Sequence, residues 1–341
     1  MNIDKEFQAI TNICRDRCMP PINPIIREQT FDDKNIIILD ISKDLNRQKP
    51  YRTAGGRFYI RTGRDKKDAT GRELIRIAQA AGELHYDETP ALDSSISDLS
   101  LSDFEFFHKK QYNMPISSHL EESGLSLEML LQNLRLAHLL DNEYCLSVAA
   151  ILLFGKNPQQ FFPHSRISAV SFKGKSEDAE IIDRQEISGR IPSIITETRV
   201  FLKRNIPNPA IERGFYREDI QLYDHQALGE AFINALVHRD YSLSGSQIRL
   251  FVFQDRIEIR SPGKLPNSVQ LENIKLGVHA ERNRTIVRIL TQLGYMSAIG
   301  TGIPRLIIRL SKDVFGIEPE FQIIGEELRV LIWSKKYFGN M

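Results

Sequence analysis

The 341-residue chain has few cysteines, a single tryptophan and almost no excess of either charge. Its three cysteines, Cys14, Cys18 and Cys145, form no ligand set with zinc spacing. A sparse, odd count argues against a disulfide framework and suits a reducing compartment. Cys14 and Cys18 stand four apart on an expected helix, where packing accounts for them. Lysine and arginine number 45 against 44 acidic residues, a net charge of +1. That balance excludes a global electrostatic grip on nucleic acid and leaves room for a local basic patch. No apolar run approaches the roughly 18 residues of a membrane helix. The opening MNIDKEFQAI lacks the charged-then-apolar pattern of a signal peptide. The expectation is a soluble cytoplasmic protein with no membrane partner. A GxxxxGK[ST] loop is also absent: Gly63-Arg64-Asp65 and Gly155-Lys156-Asn157 lack its spacing, so a P-loop motor is excluded.

What is present reads as α+β, in three segments. Apolar residues on one face predict a helix over 2–17, ended by Pro20, Pro21 and Pro24. Strand-like runs follow at 24–31, 35–41 and 57–62, then a helix at about 70–81. Residues 1–85 thus form a small α+β unit. Between Glu83 and Ser102 the composition turns to Asp, Ser, Thr and Pro, which reads as an exposed linker or a helix cap. Residues 100–205 read as mainly helical. The helical period runs to about residue 155 through Leu127, Leu130, Leu131, Leu134 and His138, with a strand at 167–172 and a helix near 189–204. Residues 206–337 alternate strands and helices: a strand near 211–221, a helix at 225–238 and two strands around Gln254-Asp255. Helices near 269–275, 283–293 and 302–312 and a terminal hairpin complete the segment. A mixed sheet backed by helices fits that order.

The chemistry concentrates in EAFINALVHRDYS, Glu230 to Ser242. Residues four apart share a helix face, so Glu230, Asn234 and His238 form one polar stripe, opposite Phe232, Ala235 and Leu236. A carboxylate and a carboxamide one turn apart suit nucleotide chemistry. The amide oxygen can hold magnesium while the carboxylate orients or deprotonates a water. A solvated helix face explains the stripe equally well by itself. Downstream, Gly263 closes the run IEIRSPGKLP, where a strand must turn sharply or approach a ligand. Gly300-Thr301-Gly302 opens a helix, and a glycine turn there offers free N–H groups to phosphate.

The ordered set Glu230-x-x-x-Asn234, Ser261-Pro262-Gly263 and Gly300-Thr301-Gly302 resembles the N, G1 and G2 boxes of GHKL ATPases. NALVHRDYS, RIEIRSPGKLP, ERNRTIVRILTQLGYMSAIGTGIPR and LLFGKNPQQFFP resemble bacterial and archaeal transcriptional regulators often labelled "ATP-dependent DNA helicase RecG-related". The resemblance implies a Bergerat-like C-terminal domain that uses ATP and Mg2+. Glu230 would activate water, Asn234 would bind magnesium, and His238 would complete the stripe. Ser261 and Gly263 would border adenine, while Gly300, Thr301 and Gly302 would cradle phosphate. Arg282 and Asn283 would reach the nucleotide from a lid over 267–299. GHKL enzymes usually carry an aspartate in the G1 box, where this chain reads Arg260-Ser261-Pro262.

PPINP and YRTAGGRFYIRTGRDKKDAT resemble the second half of a Schlafen AlbA-type domain, a domain associated with nucleic acid. Arg57, Tyr59, Arg61, Arg64 and Lys66 are the candidate nucleic-acid residues, although a hairpin edge protected by charge has the same composition. The implied function is an ATP-binding, DNA-associated transcriptional regulator, which can form homo-oligomers. The alternatives are a GHKL-fold scaffold that does not hydrolyse ATP and a MutL-like ATPase.

Overall fold

The computed structural model describes residues 3–32, 34–41, 50–207, 209–213, 215–266, 269–277, 280–296 and 302–334. The chain divides into two compact units, Met1–Leu84 with Pro266–Ser268 and His85–Leu265 with Val269–Met341.

The first unit contains α1 (Ile3–Asp16), the antiparallel pair β1 (Ile25–Phe31) and β2 (Lys34–Asp40), the pair β3 (Tyr59–Thr62) and β4 (Asp65–Asp68), and α2 (Gly71–Ala81). α2 starts at a capping box in which the Thr70 N–H donates to Glu73 Oε2 at 2.8 Å, and it ends at Gly82 with φ 78°. α1 buries no residue at all.

The second unit opens with α3 (Leu101–Tyr112), α4 (Ile116–Ser123), α5 (Leu127–Asn133) and the hairpin β5 (Ala137–Leu140)–β6 (Glu143–Leu146). α6 (Val148–Phe154), β7 (Ile167–Phe172), β8 (Ile181–Ile187), α7 (Ile191–Asn205) and α8 (His225–Val237) follow. β9 (Ile248–Val252), β10 (Arg256–Pro262) and α9 (Arg284–Gln292) come next, then a π-helix over Gly302–Arg309 that runs into α10 (Leu310–Phe315). β11 (Glu320–Ile324) and β12 (Glu327–Trp333) close the chain's described part. Six strands form one sheet in the order β8-β7-β9-β10-β12-β11, antiparallel except for the β7–β9 pair.

Alternation decides which face each strand buries. Ile248, Leu250, Val252, Ile257 and Ile259 point to the side of α8 and join one large core with Phe104, Phe107, Phe154 and Phe201. On the other side Val170, Phe172, Phe251 and Phe253 make a smaller aromatic cluster. Beside it Glu258, 4% exposed, lies between Arg256 and Arg260. Burial works against the Glu258 charge, but the two guanidiniums outweigh it and hold its carboxyl below the usual range.

Three expectations change. The stretch from Glu83 to Ser102 is not an exposed linker: Asp87 and Leu99 are buried in the second unit. The helical period does not continue to His138. Arg135 adopts φ 59° and ends that helix, and Asp141-Asn142, at φ 48° and 66°, turn a hairpin that places His138 in β5. The middle and last segments also share one sheet, because β7 and β8 pair beside β9.

Asp87 shows why the 83–102 stretch folds inward. Its Oδ2 accepts the Ile286 N–H at 3.0 Å, capping α9 from almost 200 residues away. Glu88 receives Arg135 at 2.6 Å and Thr285 Oγ1 at 3.1 Å. Burial raises the Asp87 pKa to about 6. A carboxyl whose pKa is higher in the folded than in the unfolded chain binds its proton more tightly when folded. Its contribution is therefore full below the ordinary aspartate range and is lost as pH rises through about 6, a span of about 3 kcal/mol. Urea midpoints of wild type and Asp87→Asn between pH 4 and pH 7 are expected to diverge, with the wild type losing ground as pH rises. Parallel curves would show that Asp87 ionises normally.

Candidate functional site

α8 begins at Asp224, whose Oδ1 accepts the N–H groups of Gln226 at 2.8 Å and Ala227 at 2.9 Å. Its apolar residues pack so fully that the polar stripe is drawn inward as well. Glu230 is 8% exposed, and burial raises its carboxyl pKa, partly offset by a hydrogen bond from Asn234. Asn234 Nδ2 donates to Glu230 Oε1 at 3.0 Å and to the Glu230 carbonyl at 2.9 Å. With its NH2 engaged there, the group Asn234 can offer a cation is its amide oxygen. His238 is half-buried at the helix end, its N–H donating to the Asn234 carbonyl at 3.0 Å.

The Gly302–Arg309 π-helix packs its first residue on this carboxylate. A Cβ at Gly302 would stand 1.8 Å from Glu230 Oε1, so only glycine fits while the two are in contact. Three of the candidate residues, Glu230, Asn234 and Gly302, are thereby brought together. Gly300 and Thr301 lie outside the described residues.

The G1 position meets the other end of α8. Ser261 is buried, and its hydroxyl donates to the Ala235 carbonyl at 2.8 Å, tying β10 to the helix. Gly263 adopts φ 122°, and its N–H donates to the Glu326 carbonyl at 2.7 Å. A Cβ there would meet Asp240 Cβ at 2.9 Å and the Asp240 nitrogen at 3.2 Å. Close approach of the two backbones is what this glycine permits.

Arg282 and Asn283 arrive at the same place. Arg282 Nη1 lies 3.1 Å from Asp240 Oδ2, with both side chains over nine-tenths buried, and Arg282 Nη2 donates to the Lys264 carbonyl. Asn283 Nδ2 donates to the carbonyls of Val237 and Arg239, each at 2.8 Å. His85 Nδ1 donates to the Arg282 carbonyl at 3.2 Å. Sequence reasoning missed Arg239, Asp240, Asp87 and Glu88 as parts of this assembly. The run His238-Arg239-Asp240-Tyr241 was a usable signal for the first two. Nothing local marked Asp87 or Glu88, whose partners are on α9.

The donor set fits magnesium held chiefly by phosphates and water, since one amide oxygen is the protein ligand offered. Among the described residues no group of three or more His, Cys, Asp or Glu could hold a metal ion alone.

In the first unit, β3 and β4 place Arg61 directly opposite Lys66 and Tyr59 opposite Asp68. Lys66 Nζ sits 5.4 Å from the centre of the Tyr59 ring, and Tyr59 remains 41% exposed. Arg61 Nε donates to the Gly63 carbonyl at 3.1 Å, and Arg57 lies 4.0 Å from Asp68. Arg64 occupies the turn between the strands. Like charges facing each other across a hairpin are destabilising without an anion between them.

The C-terminal sheet, with helix α8 and a glycine-opened helix meeting over a carboxylate, defines an ATPase-like α+β domain. The comparisons agree. Residues 245–332 match the family described as "Putative ATP-dependent DNA helicase recG C-terminal", and residues 1–70 match "Schlafen, AlbA_2". The chain thus combines a RecG C-terminal-type segment with a Schlafen AlbA_2-type segment. No curated protein matches. Among solved structures, the DIP2311 protein from Corynebacterium diphtheriae is similar at TM-score 0.54 and 19% identity, over 98% of this chain and 63% of that one. This chain spans under two thirds of that protein, and the likeness is one of fold. No helix among the described residues is long and apolar enough to cross a membrane.

The Gly263 contact generates a stability test. Gly263→Ala must leave φ 122° or push Asp240 aside, and is expected to cost about 2–4 kcal/mol in urea unfolding. Ser261→Ala, which removes one hydrogen bond, is expected to cost about 1 kcal/mol. Equal costs would mean that the turn relaxes freely.

Proposed function

We propose that the chain binds ATP with Mg2+ at a GHKL-type site and acts as a nucleic-acid-associated transcriptional regulator, not as a helicase motor. The observation that carries this reading is the meeting of Glu230, Asn234 and Gly302. The Asn234 amide oxygen is the magnesium ligand, and the ion's role when bound is to neutralise charge on the phosphates. Glu230, its affinity for a proton raised by burial, orients and deprotonates the attacking water. His238 extends the polar stripe towards the ligand. Gly300, Thr301 and Gly302 present backbone N–H groups to the phosphates. Ser261 and Gly263 border the base, and Arg282 and Asn283 hold the site's edge through Asp240 and the end of α8. Arg57, Tyr59, Arg61, Arg64 and Lys66 form the nucleic-acid surface of the first unit, a cationic hairpin face with one exposed ring for stacking.

One observation favours a second reading, a scaffold that binds nucleotide without turnover. The Ser261 hydroxyl is committed to the Ala235 carbonyl, so this position has no carboxylate to read an adenine amino group.

Calorimetric titration with Mg-ATP, with phosphate release followed in parallel, separates the readings. Asn234→Ala is expected to abolish Mg-ATP binding. Glu230→Gln is expected to keep binding and to lower phosphate release by about 10²–10⁴-fold. Wild-type binding without phosphate release selects the scaffold, and no wild-type binding discards the nucleotide site.

The hairpin is tested separately. Lys66→Ala is expected to weaken single-stranded DNA or RNA binding across sequences and to reduce the salt slope by about one. An unchanged slope removes Lys66 from the interface.

A further inference from the structure

The β1–β2 hairpin in the first unit is a sheet of two strands among the described residues. A two-stranded hairpin is marginal in water without a third strand or a covering helix. β2 carries the run Ile36-Ile37-Ile38-Leu39, the composition of a strand covered on both faces. Yet Ile36 and Leu39 are 44% and 39% exposed, and Ile25 and Phe31 on β1 are 69% and 63% exposed. A long apolar strand with an open edge is a template for pairing with another chain.

The register says how a second copy fits. Phe31 pairs with Lys34, Gln29 with Ile36, Arg27 with Ile38 and Ile25 with Asp40. A pair that closes a two-residue connection is of the hydrogen-bonded kind, and the kinds alternate along the ladder. Lys34, Ile36, Ile38 and Asp40 therefore direct their backbone groups to β1, and Asn35, Ile37 and Leu39 direct theirs to the open edge. An antiparallel copy of β2 placed about a two-fold axis at Ile37 sets Ile37 against Ile37 and Asn35 against Leu39, both as hydrogen-bonded pairs. Ile36 then faces Ile38, and Lys34 faces the second copy's Asp40, as non-hydrogen-bonded pairs in which side chains approach most closely. Moving the axis to Asn35 or to Leu39 leaves the two charges unmatched. Asp40 already pairs with Arg27, both about half exposed, so the second copy's Lys34 adds a further cation to that carboxylate.

We propose that β2 is the contact by which two copies of this chain associate, as the centre of a four-stranded antiparallel sheet. The charge pattern of the strand, a cation at its first residue and an anion at its last around three isoleucines, is complementary to itself in this register alone.

Sedimentation equilibrium of the full chain tests it with a charge swap. Wild type is expected to dimerise. Lys34→Asp alone sets two carboxylates against each other at both ends of the contact, and Asp40→Lys alone sets two ammonium groups there. Each is expected to weaken dimerisation by roughly tenfold. An equimolar mixture of the two variants restores opposite charges at both ends and is expected to associate as tightly as wild type. Far-UV circular dichroism of each variant checks that the hairpin persists. A monomeric wild type, with the edge left to some other chain, overturns the proposal. So do single variants that dimerise like wild type, or a mixture no tighter than its components.

Discussion

The second unit depends on how polar groups are satisfied where α8 ends. The helix leaves carbonyls without intrahelical partners, and the chain then buries Arg239 and Asp240 immediately beyond it. Asn283 answers the carbonyls of Val237 and Arg239, and Arg282 answers the Asp240 carboxylate. The two terminal nitrogens of Arg239 donate to main-chain oxygens, those of His164, Asp240, Leu243 and Ser246, while its guanidinium lies over the Tyr241 ring. Taking any one of these groups away leaves another buried and unpaired, which is costlier than the bond itself is worth. That constraint holds the turn after β10, the start of α9 and the end of α8 at one point.

From that point the rest follows by packing. α9 is fixed at its first turn by Asp87 and Glu88, so the segment entering the second unit is locked to the region that the resemblance assigns to a lid. α8 lies along the sheet through Ala231, Ala235 and Leu236, with Ser261 pinning it to β10. The same close fit that buries its apolar face also brings Glu230 out of water and against Gly302. A carboxylate in that position carries a raised pKa because burial penalises its charge, with the Asn234 hydrogen bond a smaller opposing effect.

Much of this was legible locally. The helix with Glu230 and Asn234, the strands around Gln254-Asp255 and the terminal hairpin all follow from period and turn residues. The hairpin at 137–146 was not, because Leu127 to His138 keeps a helical spacing and the break rests on the positive φ of Arg135. Strand 181–187 was hidden by its exposure: only Ile187 is buried, so alternation was weak. In the stretch from Glu83 to Ser102 the linker reading failed because Asp87 and Ser94 are buried among polar neighbours, such as Asp93, Ser95 and Ser97, that stay exposed. Ser100, by contrast, does stand at the N-cap of α3.

By itself, the sequence determined the neighbours within each element: the i, i+4 stripe of α8, the alternating faces of β9 and β10, and the caps at Thr70, Ser126, Ser147 and Asp224. These are properties of backbone period and of side chains reaching their own main chain, and residue order carries them. Tertiary structure alone decided that Gly302 rests on Glu230, that Arg282 spends its charge on Asp240, and that Asp87 closes α9 from nearly 200 positions away. Those contacts join elements whose separation in the chain says nothing of their distance in space. They exist because burying the two sheet faces and the α8 stripe left a few polar groups inside that had to find partners.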